Sequence, residues 1–245
     1  MKKLIAILSL ALLPLTGLAG GGGDVKLLSA DIDLTDEKAM QRGAKYFVNY
    51  CQGCHTLKYF RYERMQDFGL TKEQIKENLL FDKTQKVGSL MTNNMAPGAA
   101  AEWFGTAPPD LTLTARLRHG GGDWIYTYLK SFYKDDSRPF GVNNVIFPNV
   151  GMPHVLLELQ GVQEAVIETD EHGNKHVKEL KLVKPGRLSP EEYDQVAKDL
   201  ATFLAHVAEP MKLERQRIGF WVMLFLFVFF IVSFLLKKEY WKDVH

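Results

Sequence analysis

Cysteine is nearly absent from this chain. Its 245 residues hold two, and both fall within residues 50–56, YCQGCHT. With no other cysteine and no second pair of close ligands among the remaining histidines, a structural zinc site lacks its donors; His172 and His176 sit in a polar, turn-like stretch. No internal repeat or low-complexity tract appears. A surplus of one charge is missing too: 30 basic residues stand against 29 acidic ones. Long apolar runs are also few. There are two, one near each end, and they organise everything between them.

The first run belongs to the layout of a secretory signal: a basic MKK, an apolar LIAILSLALLPL, and small residues at Gly17 and Ala19. That pattern predicts export, with residues 1–19 a signal peptide cleaved after Ala19 and GGGG (20–23) a flexible mature start. The second run, residues 218–236, is uncharged and spans about 28 Å as a helix. Arg215 and Arg217 precede it, Lys237, Lys238 and Lys242 follow it, and Trp221, Tyr240 and Trp241 stand at headgroup depth. A membrane helix is expected over 213–237, with a tail at 238–245. Basic residues balance across this span, so orientation follows from the signal: the tail stays cytoplasmic. Outside residues 20–212 lie seven of the basic and three of the acidic residues, leaving 23 against 26 within, about −3. Such a domain is no nucleic-acid binder, and it mildly favours a basic partner. At roughly 190 residues it is long enough for one domain with its own core.

Two cysteines three apart serve a redox dithiol, half a zinc site, or a covalent haem anchor. A thioredoxin-like dithiol follows a buried strand. Here the preceding LTDEKAMQRGAKYFVNY reads as a helix, with Thr35 as N-cap and Met40, Ala44, Phe47 and Val48 at helical spacing. The haem reading uses every letter of the motif. Cys51 and Cys54 can each add to a vinyl group, and His55 then reaches the iron. Export suits it, because c-type haem is attached outside the cytoplasm.

A sixth ligand would lock the iron for electron transfer. Met40 lies on the helix before the haem, Met211 lies beside the membrane, and Met65 is too near His55 in sequence. Met91, Met95 and Met152 remain, each in a loop rich in Gly, Pro or Asn, and spacing leaves Met95 and Met152 nearly even. The bland alternative for each is a core thioether filling a gap.

The blocks CHTLKYFRYERM, APPDLTL, RHGGGDWIYTYLKSFY, NNVIFPNVGMPHVL and VAKDLATFLAHVAEP, followed by one span, resemble the cytochrome c1 family of proteobacteria. They occur in the family's order and cover most of residues 34–245. The resemblance implies a mainly α fold: a class I cytochrome c-like haem domain with loop and β-hairpin insertions, plus one C-terminal transmembrane helix. It implies one covalent haem c on Cys51 and Cys54, with His55 and Met152 as axial ligands, and sets Met95 before the PPDL block, in the wrong place. It further implies that the Pro109 carbonyl accepts from the free ring nitrogen of His55, and that Arg118 pairs with a haem propionate. Trp124 stands where similar proteins often carry tyrosine, keeping an aromatic wall without a phenol. His119 is either a further pocket residue or solvent-facing.

The function so implied is electron transfer, not catalysis by this chain alone. It would work beside cytochrome b and a Rieske iron–sulfur subunit, in the inner membrane with the haem domain in the periplasm. A soluble or membrane cytochrome c would accept the electron, within a dimeric complex. Rivals are a monohaem subunit of another respiratory complex such as an oxidase or nitric oxide reductase, a periplasmic thiol–disulfide protein, and a gas sensor.

Two helices should clamp the haem domain. In SPEEYDQVAKDLATFLAHVAEP, Ser189, Pro190 and Glu192 make a capping box before an apolar stripe. Gly43 lets that stripe approach the first helix, and Pro210 breaks the chain before the span. Residues 82–107 read as loop, and residues 160–184 as a hairpin around EHGN.

Overall fold

The computed structural model describes residues 26–82, 84–169 and 175–243. The predicted signal segment and the EHGN turn lie outside those residues. The first helix, α1 (Glu37–Tyr46), is capped by Asp36, whose carboxylate accepts from the Ala39 N–H at 2.9 Å. Thr35 was the expected cap. Its hydroxyl instead donates to Asp33 at 2.6 Å, and the chain enters the helix one residue later. The helix then widens into a π-turn, Phe47–Cys51, closed by Gln52 N–H donating to the Phe47 carbonyl at 2.9 Å. A π-turn re-aims the residues that follow it, and here those are the CxxCH residues.

Strand β1 (Leu57–Arg61), a 3₁₀ stretch (Tyr62–Phe68) and α2 (Lys72–Asn78) come next. A capping box between Thr71 and Gln74 starts α2. Residues 82–107 are not all loop. They hold β2 (Leu90–Met91), paired antiparallel with β1, and α3 (Pro97–Phe104). Pro97 opens α3, alanines carry it, and Gly105 at φ 74° ends it. Only Ala100 of α3 is buried, so the helix has no apolar stripe to be read.

A single turn, α4 (Thr114–Leu117), leads into α5 (Gly121–Lys130), and β3 (Phe132–Lys134) pairs antiparallel with β4 (Val142–Asn144). After the short α6 (Leu157–Gln160), β5 (Gly161–Thr169) and β6 (Lys175–Pro185) form the predicted hairpin, its register shifted twice by bulges. Gln163 roots it by donating to the carbonyls of Lys130 and Phe132, both at 2.9 Å.

The centre of the domain is α7 (Pro190–Ala208), opened by the Ser189/Glu192 capping box. It packs against α1 on one side and α5 on the other. A β-carbon at Gly43 would stand 2.2 Å from the Asp199 carbonyl oxygen and 2.6 Å from Phe203 Cβ, so only glycine permits this crossing. One residue away, Arg42 grips Asp199 with two bonds, 2.6 and 2.8 Å, satisfying a carboxylate that is otherwise buried. Phe47, Phe60, Phe68, Leu200 and Phe203 fill the space around the crossing.

After a turn at Glu209–Met211, α8 (Lys212–Tyr240) runs unbroken. It contains the apolar run and is, among the described residues, the one helix long and apolar enough to cross a membrane. None of its residues is buried by the rest of the chain, so its apolar surface faces outward all round.

Candidate functional site

Cys51 ends the π-turn of α1. The N–H groups of Cys54 and His55 both donate back to the Cys51 carbonyl, at 3.1 and 2.8 Å. This tight turn fixes all three side chains relative to α1. Both cysteines are unpaired and half-buried. Desolvation, and then the neighbouring Cys54, pushes the Cys51 thiol up to about 12. A redox dithiol requires a depressed thiol, so the environment runs against that reading.

The His55 ring is buried, and its Nδ1 lies 2.7 Å from the Pro109 carbonyl oxygen. Desolvation lowers the pKa of His55, opposed by the Pro109 carbonyl and Asp110. The neutral ring therefore donates Nδ1–H to Pro109 and keeps a lone pair on Nε2, as a metal-binding imidazole requires. Asp110 fastens this contact. Its carboxylate accepts from the Thr56 hydroxyl and the Lys58 N–H at 2.7 Å each, and from the Thr112 N–H at 3.1 Å. Leu111 N–H donates to the Thr56 carbonyl at 2.9 Å. Burial raises the pKa of Asp110, but these bonds outweigh it and the net direction is downward. The chain after the histidine is thus zipped to the PPDL segment.

A second group forms on α5. Trp124 and Tyr128, four residues apart on one helix face, stack at 5.1 Å with ring planes 16° apart. The exposed Arg118 lays its guanidinium 4.7 Å over Trp124 and 5.5 Å over Phe147. The Tyr128 hydroxyl donates to the Met152 sulfur at 3.4 Å. Burial, partly offset by Arg118, pushes the Tyr128 phenol upward, so it is a neutral donor.

The loop that brings Met152 here is held by side chains. Buried Asn144 accepts from the N–H groups of Ile146 and Phe147 at 3.1 and 3.2 Å, and donates to the Tyr128 carbonyl at 2.8 Å. Asn143 accepts from Asn149 N–H at 2.8 Å, and Arg138 holds the Asn149 carbonyl at 3.0 Å. Asn149 takes the left-handed conformation, φ 63°, that asparagine tolerates.

The structure therefore gathers Cys51, Cys54, His55 and Pro109 into one group, and Arg118, Trp124 and Met152 into another. Cys51 ends the extension of α1 and Trp124 lies on α5, both helices packed against α7, while Pro109 and Met152 come from loops. Met40, Met65 and Met91 are fully enclosed in the core. Met95 is half-buried on a loop that Asn93 ties to the Gln52 carbonyl at 3.0 Å, beside the cysteine turn. His119 is exposed. Sequence reasoning missed Tyr128, Phe147, Asp110 and Asn144. Of these, Tyr128 alone left a signal, its spacing from Trp124.

The residues present fit a covalently attached haem. Two half-buried thiols flank a tight turn, a neutral histidine is oriented through Nδ1, and an aromatic wall carries a thioether. A sequence profile of the Cytochrome C1 family matches residues 30–244. The chain belongs to the cytochrome c1 family. Cytochromes c1 are haem-bearing, membrane-anchored subunits of the bc1 complex, carry haem c covalently, and work there with cytochrome b and Rieske subunits. The chain is 55% identical to "Cytochrome c1" of Allochromatium vinosum over 100% of both chains. It is 43% identical to the "Ammonia monooxygenase gamma subunit" of Nitrosomonas europaea, over 99% of this chain and 100% of that one. Against the mitochondrial "Cytochrome c1, heme protein" of Saccharomyces cerevisiae it is 26% identical, over 85% of this chain and 68% of that one.

Proposed function

We propose that this chain is the one-electron carrier of a quinol–cytochrome c oxidoreductase. It takes an electron from the Rieske iron–sulfur subunit and passes it to a soluble or membrane cytochrome c, and performs no bond chemistry by itself. The observation that carries the reading is His55 Nδ1 held 2.7 Å from the Pro109 carbonyl, directly after a CxxC turn. When bound, haem c supplies an iron that alternates between the ferric and ferrous states.

Cys51 and Cys54 would hold that group covalently through their sulfurs, and His55 would offer Nε2 to its iron. Pro109 fixes the tautomer and strengthens the imidazole as a donor. Met152 would offer its sulfur to the same iron. Trp124 would wall the site, and Arg118, lying over that ring, would receive a propionate. Residues 1–19 act as signal peptide, residues 20–212 form the periplasmic domain, 213–237 span the inner membrane, and 238–245 remain in the cytoplasm. By analogy with the family, the complex is dimeric in this reading.

Met152→Leu tests the assignment. The ferric protein should lose the sulfur-to-iron charge-transfer band, and the midpoint potential should fall, because a thioether ligand favours the ferrous form. An unchanged ferric spectrum would move the ligand elsewhere, with Met95 the next candidate.

The full-length likeness to a protein named as an ammonia monooxygenase subunit favours a second reading: the same carrier within another membrane oxidoreductase. Gentle detergent extraction and identification of the companion subunits decides between them. Cytochrome b and an iron–sulfur protein support the first reading, and an oxygenase supports the second.

A further inference from the structure

Tyr128 is not needed to anchor a haem, yet every feature around it aims its hydroxyl at one atom. We infer that Tyr128 is a positioning residue that acts through Met152, its O–H hydrogen bond setting how strongly the sulfur donates to iron. This rests on the reading of Met152 as an axial ligand.

The oxygen–sulfur distance is 3.4 Å, and the phenol makes no other hydrogen bond among the described residues. The ring is fixed on three sides. Trp124 stacks on it at 5.1 Å, while Phe132 and Phe147 meet it edge-on at 5.1 and 6.4 Å. Its backbone is tied to the methionine loop itself, because Asn144 donates to the Tyr128 carbonyl while accepting from Ile146 and Phe147. One buried side chain therefore ties the donor's helix to the start of the loop that carries the acceptor. By contrast, Tyr126, two residues earlier, points its hydroxyl to Asp194 and Lys130 and takes no part.

A thioether is a weak acceptor whose lone pairs are also what it offers a metal. A proton donor on the sulfur draws density from it. The ferric form needs that density more than the ferrous form does, so the bond should favour the reduced state. Outer groups that hydrogen-bond a ligand tune it in this way.

Tyr128→Phe in the full complex isolates the hydroxyl, because the ring and its stacking remain. The expected result is a midpoint potential shifted negative, with the sulfur-to-iron band retained but displaced. Tyr126→Phe, measured beside it, should leave both unmoved. An unchanged midpoint and band in Tyr128→Phe would overturn the proposal. So would outright loss of the band, which would make Tyr128 a structural seat for the methionine. Met152→Leu runs alongside: if that variant keeps its band, the axial assignment has failed rather than the hydrogen bond.

Discussion

Gly43→Ala is the smallest change that should damage the fold where the CxxCH turn is attached. The new methyl would meet the Asp199 carbonyl oxygen at 2.2 Å, against the 3.4 Å at which ordinary contact begins, so α1 must retreat by about 1.2 Å. The obstacle is backbone in mid-helix, and it cannot rotate away. Retreat also lengthens the 2.6 and 2.8 Å bonds between Arg42 and Asp199, leaving a buried carboxylate poorly matched. Overpacking of this kind costs about 1–3 kcal/mol, and the contact here falls at the upper end. Alanine returns about 1 kcal/mol through helix propensity. A net loss of about 2 kcal/mol is left, which for a chain of this size lowers Tm by roughly 4–8 °C. Thermal unfolding of the haem-loaded protein in detergent, followed by far-ultraviolet circular dichroism, measures it. An equal or higher Tm would refute the account of the crossing, since propensity would then have outweighed the clash.

Asp110→Ala removes the acceptor for Thr56, Lys58 and Thr112 and should destabilise the domain by about 1–2 kcal/mol, while loosening the His55–Pro109 contact enough to broaden the redox titration. Denaturant titration of wild type and variant gives the first, and a midpoint titration the second; two superimposable data sets would contradict it. Protonation of His206 should make stability fall with acidity. Its ring is enclosed by Phe60 and Phe68 with Asp67 and Arg64 nearby; burial lowers its pKa, Asp67 opposes this and Arg64 adds to it. The unfolded chain therefore binds a proton at about pH 6.5 while the folded chain still refuses it. This contribution is whole above that pH and is lost as pH falls toward the lowered folded value. His206→Phe should flatten the slope of stability against pH across that window, and an identical slope would assign the acid sensitivity to other groups.

What the sequence revealed follows from how far each signal reaches along the chain. Ser189 with Glu192, and Gly43 opposite a stripe of apolar residues, are local patterns with one physical meaning, and both appear in the structure. The cap of α1 was less legible because Asp33, Thr35 and Asp36 all offer oxygens within four positions, and only geometry chooses Asp36. Helix α3 escaped notice because one buried alanine makes no periodicity, and β2 because two residues make no strand pattern. The CxxCH turn was readable in full. The Pro109 contact was not, since nothing in a PPD triplet says whose ring nitrogen its carbonyl will meet; resemblance alone suggested it. Tyr128 and Met152 lie 24 residues apart, and the loop leading to Met152 is tied to the Tyr128 carbonyl by Asn144, whose bonds no spacing announces.

The two groups of side chains have one mechanical link. The CxxCH turn is the tail of α1, the aromatic wall is a face of α5, and both helices lean on α7, whose end turns directly into the membrane helix. Their relative placement is therefore set by close packing rather than by the loops that carry Pro109 and Met152. A rigid frame suits an electron carrier, whose ligands must remain in place while only charge changes. It also makes the Gly43→Ala experiment informative about function. If α7 is the reference for both groups, the variant should disturb the ferric spectrum in step with its lost stability. Lost stability with an unaltered spectrum would instead mean that the turn at Cys51, pinned through Asp110, holds the histidine without help from the crossing.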